Sequence, residues 1–244
     1  MTISKLALSY NDKNVLKDVS FSFENHLCIL GSNGSGKSTL AKALCGLLSY
    51  EGSIQIEEKE LSDIASKQRA KLISYIPSKM ESFEQFTTVE DFVLLGRYPY
   101  KESFKDYCSE DKALVYEILE ELGLEEIKTN TLHELSSGQQ QLTLIAQALV
   151  GQSKVLIFDE PTANLDPKNT ALFVQEFKKL RQSYQTILIS HDIQLASYFN
   201  DPVLFIQDKT AKLFETGFFE TKNLSQAYGI KFKNENGIIG IRYD

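Results

Sequence analysis

Cysteine is scarce and odd in number. The three thiols, Cys28, Cys45 and Cys108, form no CxxC pair, so neither a disulfide framework nor a zinc site is expected. Cys28 and Cys45 flank a glycine-rich loop on apolar elements and read as buried thiols in a reducing compartment. Positive charge is also short. With 26 Lys and Arg against 33 Asp and Glu, the formal net charge is −7, the wrong sign for a general nucleic-acid binder. Long apolar runs are missing. The longest uncharged stretch, Leu135–Ser153, holds five Gln, three Ser and two Gly and cannot cross a bilayer. The start, MTISKLALSY, lacks the basic-then-apolar pattern of a secretory signal, and no signal peptide is expected. No internal repeat, heptad array or low-complexity linker is visible. What is present suffices for a core: 244 residues, 42% hydrophobic and 24% charged, suit one large α/β domain, alone or with a sub-domain.

Leu6, Leu8 and Tyr10 alternate, as do Val19, Phe21 and Phe23; both read as half-buried strands joined by the turn NDKN. HLCIL is a short buried strand ending at Gly31. From Lys37 the period changes, and Leu40, Ala43, Leu44, Leu47 and Leu48 share a helical face. SIQI and LISYIP read as further strands. Thr87-Thr88-Val89-Glu90 resembles a helix start with a capping acid. Leu114, Val115, Ile118, Leu119 and Leu122 give an amphipathic helix stopped by Gly123. Residues from about 79 to 149 therefore look like a helical insertion. VLIF and TILIS then return as fully apolar β-runs, typical of a parallel sheet covered on both faces. The tail from Phe218 onward shows no clear pattern.

Two places carry chemistry. Gly31-Ser32-Asn33-Gly34-Ser35-Gly36-Lys37-Ser38 matches GxxxxGK[ST], with Thr39 following, between a strand and a helix. Such glycines let successive N–H groups point inward, and the helix N-terminus adds positive partial charge. Lys37 can reach the β- and γ-phosphates of a nucleotide, and Ser38 can ligate Mg²⁺. The bland reading is a glycine-rich strand-to-helix turn. The run Val155–Phe158 ends in Asp159 and Glu160, at the carboxyl edge where α/β sites form. Asp159 would hold the Mg²⁺ through water, and Glu160 would polarise the attacking water. Alone, an acidic pair is an ordinary solvated strand end; beside the phosphate loop it points to an ATPase.

LSSGQQQ, followed by VLIFDEPTANLD and later by ILISHD, resembles the ATP-binding subunit of ABC transporters over nearly the whole chain. The resemblance implies an α/β P-loop NTPase core of mixed, mainly parallel sheet, with an N-terminal antiparallel β part and a helical subdomain at about 79–149 inserted between 1–78 and 150–244. It implies a head-to-tail homodimer with ATP and Mg²⁺, in which Ser136, Ser137, Gly138 and Gln139 of one copy cap the γ-phosphate held by the other. Small residues, hydroxyls and a helix N-terminus suit that role, although a plain N-cap by Ser136 or Ser137 would look the same. Asn164, Leu165 and Asp166 resemble the loop that touches the partner copy, His191 the switch histidine, and Tyr10 the aromatic that stacks on adenine. Tyr10 could equally be a core strand tyrosine. His26 and His133 have no comparable context.

The pattern is broken in places. Ser78 stands where the family has glutamine, and its shorter side chain would need a bridging water or a backbone shift to serve Mg²⁺. Gln85 lies further along the same loop. Ser137 replaces a glycine, and Gln140, Leu142 and Gln147 replace arginines, which removes positive charge around the signature helix. TTVEDFVLLGRYPY and the late LSQAYGI resemble the ATPases of iron-siderophore, haem and cobalamin importers; the bland reading of Gly96-Arg97-Tyr98-Pro99 is a helix stop. The expectation is a peripheral subunit on the cytoplasmic face of the membrane. It would energise iron-chelate uptake through a separate permease, with a substrate-binding protein as indirect partner and no nucleic acid. Cobalamin or another metal is the alternative cargo. A soluble non-transport ABC ATPase or a small-molecule kinase would explain fewer of these motifs.

Overall fold

Period-two apolar patterning at the N-terminus and buried apolar runs further along give this chain twelve strands and eight α-helices among the described residues. The computed structural model describes residues 1–10, 13–80, 86–102, 104–235 and 237–242. In chain order, β1 Thr2–Tyr10, β2 Lys13–Ser22, β3 His26–Gly31, α1 Lys37–Leu44, β4 Glu51–Ile56 and β5 Lys59–Glu60 open the chain. Then follow α2 Ser66–Arg69, β6 Ile73–Ile76, α3 Val89–Leu94, α4 Ser109–Glu121, α5 Ser137–Val150, β7 Val155–Asp159 and α6 Pro167–Leu180. The remainder is β8 Gln185–Ile189, α7 Ile193–Phe199, β9 Val203–Gln207, β10 Thr210–Phe214, α8 Thr221–Tyr228, β11 Phe232–Glu235 and β12 Ile238–Ile241. Contacts divide them into two units, Met1–Asp63 with Thr186–Asp244, and Ile64–Gln185.

In the first unit an antiparallel sheet runs β2-β1-β4-β5. Leu6 and Leu8, and Val19 and Phe21, are buried in alternation as the sequence predicts, while buried Ile3 and Leu16 stand three residues before them, where the strand pairing shifts register. Beside it β10-β9-β3-β8 form a second set, with β3 parallel to both β8 and β9. The near-continuous burial of β3 and β9 is that of strands covered on both faces. β9 turns into β10 through Asp208 and Lys209 at φ 50° and 64°, the two left-handed residues that a tight hairpin requires. The poorly patterned tail packs by apolar anchors: Phe218, Leu224 and Phe232 join Cys28, Leu30 and Phe205 in one cluster.

The expected face of α1 is cut short. The helix ends at Leu44, and Leu47 is 62% exposed. Gly46, at φ 66°, donates to the Ala43 carbonyl at 2.8 Å, and Leu47 N donates to Lys42 O at 2.8 Å. That pair of bonds is the Schellman stop, which satisfies the last carbonyls of the helix.

In the second unit β6 lies parallel to β7, and Phe158 of β7 meets Phe173 and Phe177 of α6 with ring centroids 5.9 and 4.9 Å away. Between β6 and β7 the regular elements among the described residues are helical. α3 starts within the predicted stretch: Thr88 is the cap and accepts from Asp91 N at 3.2 Å, and the Thr87 carbonyl accepts from Leu132 N at 3.1 Å. Among the described residues no helix is long and apolar enough to cross a membrane.

The GRYP segment is built in rather than appended. A Cβ on Gly96 would overlap the Gln147 carbonyl oxygen and stand 2.5 Å from Val150 Cγ2. Gly96→Ala is therefore expected to lower stability by roughly 1–3 kcal/mol, read as a lower melting midpoint. An unchanged midpoint would show that α5 can withdraw at no cost. Arg97 holds the same junction: Nε donates to Asp111 Oδ1 at 2.6 Å, and Nη1 donates to Val150 O at 2.9 Å and Gln152 Oε1 at 3.0 Å. Burial works to raise the Asp111 pKa, but the bonds from Arg97 and Cys108 and the guanidinium charge hold it below the usual carboxylate range.

Candidate functional site

In the first unit the phosphate loop follows β3 directly and α1 begins at Lys37. Gly36 is the N-cap, at φ 104°, with no side-chain cap bond and no acidic residue in the first turn. Four other helices are capped by a side chain: α3 by Thr88, α5 by Ser136, α6 by Asp166 and α7 by Asp192. α1 thus keeps its positive end open, the condition for an anion to bind there. Lys37 is buried, and its Nζ donates to Gly31 O at 2.9 Å and Ser32 O at 3.1 Å. Ser32, Asn33, Gly34 and Ser38 are exposed; Ser35 and Thr39 are half-buried.

The β3–β8 register pairs Ile29 with Ile189. Continued by two residues, it sets Gly31 and His191 at the same carboxyl end of neighbouring strands. His191 is exposed, and the turn that carries it is fixed: Asp192 N donates to Ser190 Oγ, and Leu195 N donates to Asp192 Oδ1, both at 2.9 Å. His26 lies elsewhere, on β3, with Nδ1 3.0 Å from Thr186 Oγ1. The side chain of Tyr10, all of Gln85, and Asn11 and Asp12 of the NDKN turn lie outside the described residues.

In the second unit the β6–β7 register pairs Ile76 with Phe158, so Ser78 and Glu160 come level two residues further on. Glu160 has a backbone φ of 52°, a left-handed conformation that costs a non-glycine residue about 1 kcal/mol or more. Asn164 Nδ2 donates to Ser78 O at 3.1 Å, which ties that loop to the strand end. Asp159 is only 4% exposed. Its Oδ2 accepts from the Tyr75 hydroxyl at 2.7 Å, while Oδ1 is buried with no hydrogen-bond partner among the described residues. A buried bare carboxylate oxygen is costly unless a cation or its bound water meets it. A carboxylate oxygen is a hard donor of the kind that Mg²⁺ takes. No cluster of three or more His, Cys, Asp and Glu is found among the described residues. Tyr75 is the residue the sequence reading missed; the only signal was a polar-tipped aromatic in a strand that pairs with the acidic one.

The signature stretch opens α5. Ser136 is the cap: its Oγ accepts from Gln139 N at 3.3 Å, and Gln139 Oε1 accepts from Ser136 N at 2.9 Å, a capping box. Ser136 and Ser137 are exposed, and Ser137 is the first helical residue. A Cβ on Gly138 would overlap the Asn169 carboxamide. Asn169 donates from N and Nδ2 to Asp166, at 2.8 and 3.1 Å. The signature start and Asp166 therefore share one corner of this unit, and Leu165 is half-buried nearby in sequence.

The family described as ABC transporter matches residues 16–163, more than half of the chain. The chain belongs to the ABC transporter ATPases. Members of this family hydrolyse ATP, so this ABC ATPase is an ATP-binding transporter subunit, which implies a membrane permease as partner. It is 34% identical over 220 residues to a probable iron chelatin transport ATP-binding protein of Helicobacter pylori, covering 88% of this chain and 85% of that one. It is 33% identical over 235 residues to the manganese transport system ATP-binding protein MntB of Listeria innocua, covering 94% and 96%. Among solved structures, an inward-facing ABC transporter assigned to the metal-chelate type superposes with a TM-score of 0.82 at 25% identity, over 98% of this chain and 94% of that one. The expected α/β fold, a mixed sheet with parallel strands, helices and an N-terminal antiparallel part, is the ABC ATPase fold.

Proposed function

We propose that this ABC ATPase energises an importer that takes up an iron chelate, a siderophore or haem. It would work in the cytoplasm, peripheral on the inner face of the cell membrane, under a separate integral permease, with a substrate-binding protein delivering the cargo and no nucleic acid involved. The observation that carries the nucleotide chemistry is the open N-terminus of α1 behind the phosphate loop, beside other helices that are capped. The relatives named for iron chelatin and manganese support a metal-related cargo.

In this reading two copies pair head to tail. Gly31, Ser32, Asn33, Gly34, Ser35, Gly36, Lys37, Ser38 and Thr39 hold the phosphates, and Tyr10 stacks on adenine. Ser136, Ser137, Gly138 and Gln139 of the other copy close on the γ-phosphate, which His191 also contacts. Asn164, Leu165 and Asp166 touch the other copy. Ser38 and Asp159 would hold Mg²⁺, which when bound offsets the charge on the β- and γ-phosphates. Glu160 orients and polarises the attacking water, and Ser78 accepts from it. Residues 79–149 act as the inserted helical subdomain that carries closure to the permease.

The test is stimulation of ATP hydrolysis in liposomes that hold this chain with its permease and binding protein. An iron chelate is expected to raise turnover and to be carried inside, while manganese does neither. The reverse result would favour the second reading, manganese import, which the Listeria relative supports at similar identity. Cobalamin is the third arm, and turnover blind to all three would remove the importer reading.

A further inference from the structure

We propose that Tyr75 is a positioning residue for the Asp159 carboxylate, presenting its free oxygen to the metal. The proposal rests on the reading of Asp159 as a Mg²⁺ partner. The register supplies the geometry. Tyr75 on β6 pairs with Ile157 on β7, so the two side chains leave the same face of the sheet. Asp159 is two residues beyond Ile157, about 6.6 Å along a parallel strand, which is the reach of a tyrosine side chain laid along it. The hydroxyl arrives at Oδ2 with a donor distance of 2.7 Å.

That contact divides the labour of the carboxylate. Oδ2 is engaged by an O–H donor, and Oδ1 is left buried and without a partner among the described residues. A carboxylate without this tether could rotate about its last torsion and offer either oxygen, or split its charge between two directions. With the tether, one rotamer is fixed before any ligand arrives. Partners of this kind, behind a metal-binding group, orient it and raise its affinity. Phenylalanine removes only the hydroxyl and keeps the ring.

The experiment compares the wild-type chain, Tyr75→Phe and Asp159→Asn, using Mn²⁺ as the spectroscopically visible probe and a non-hydrolysable ATP analogue. Analogue affinity in EDTA, Mn²⁺ affinity at saturating analogue and the melting midpoint are measured for each. Tyr75→Phe is expected to weaken Mn²⁺ by about tenfold, with analogue affinity in EDTA unchanged. Wild-type Mn²⁺ affinity in Tyr75→Phe would overturn the proposal. So would an equal loss in EDTA, or a variant that does not fold, since each assigns the hydroxyl to the fold alone. If Asp159→Asn binds Mn²⁺ like the wild type, the metal reading of Asp159 itself fails, a result independent of Tyr75.

Discussion

Glu160→Gln is expected to slow ATP hydrolysis by roughly 10²- to 10⁴-fold while nucleotide binding persists. The amide keeps the size and hydrogen-bonding reach of the acid but carries no charge to polarise water. On the proposed head-to-tail pairing, binding would still draw two copies together, and the closed pair would then persist because the step that reopens it is missing. Single-turnover phosphate release checks the rate, and size-exclusion with ATP checks the trapped pair. Rapid turnover by this variant would remove Glu160 from the reaction and send the search to His191.

Lys37→Ala is expected to weaken ATP binding by about a hundredfold, the loss of charge-assisted hydrogen bonds to phosphate. The geometry adds a second effect. Lys37 Nζ braces the loop's own carbonyls of Gly31 and Ser32, so alanine also loosens the cradle. Melting without nucleotide separates the two: a modest fall is the brace, and the disappearance of the ATP-induced rise is the lost cation. Wild-type ATP affinity in a direct titration would contradict the assignment.

The site was most legible where one short segment sets the geometry. The strand–loop–helix of residues 26–44 needs only its own glycines and one lysine, and the sequence states all of them. The same holds for Ser136 and Gln139, whose capping box is a spacing of three. Legibility failed where a neighbouring strand decides. Tyr75 alternates like any strand residue, and only the β6–β7 register shows that its hydroxyl meets Asp159. It also failed where two local signals compete. Leu47 continues the helical period, but Gly46 supplies the stop and wins, since unsatisfied carbonyls cost more than one exposed leucine. The tail was opaque because its anchors, Phe218, Leu224 and Phe232, are too far apart to show a period.

The left-handed backbone at Glu160 has a practical corollary for anyone engineering this ATPase. Glycine adopts that conformation freely, so Glu160→Gly would relieve the strand end while deleting the carboxylate. Robustness and turnover thus pull one codon in opposite directions. On the proposed role of Glu160, a heat-challenge library scored without an activity readout would tolerate an inactive glycine variant at this position.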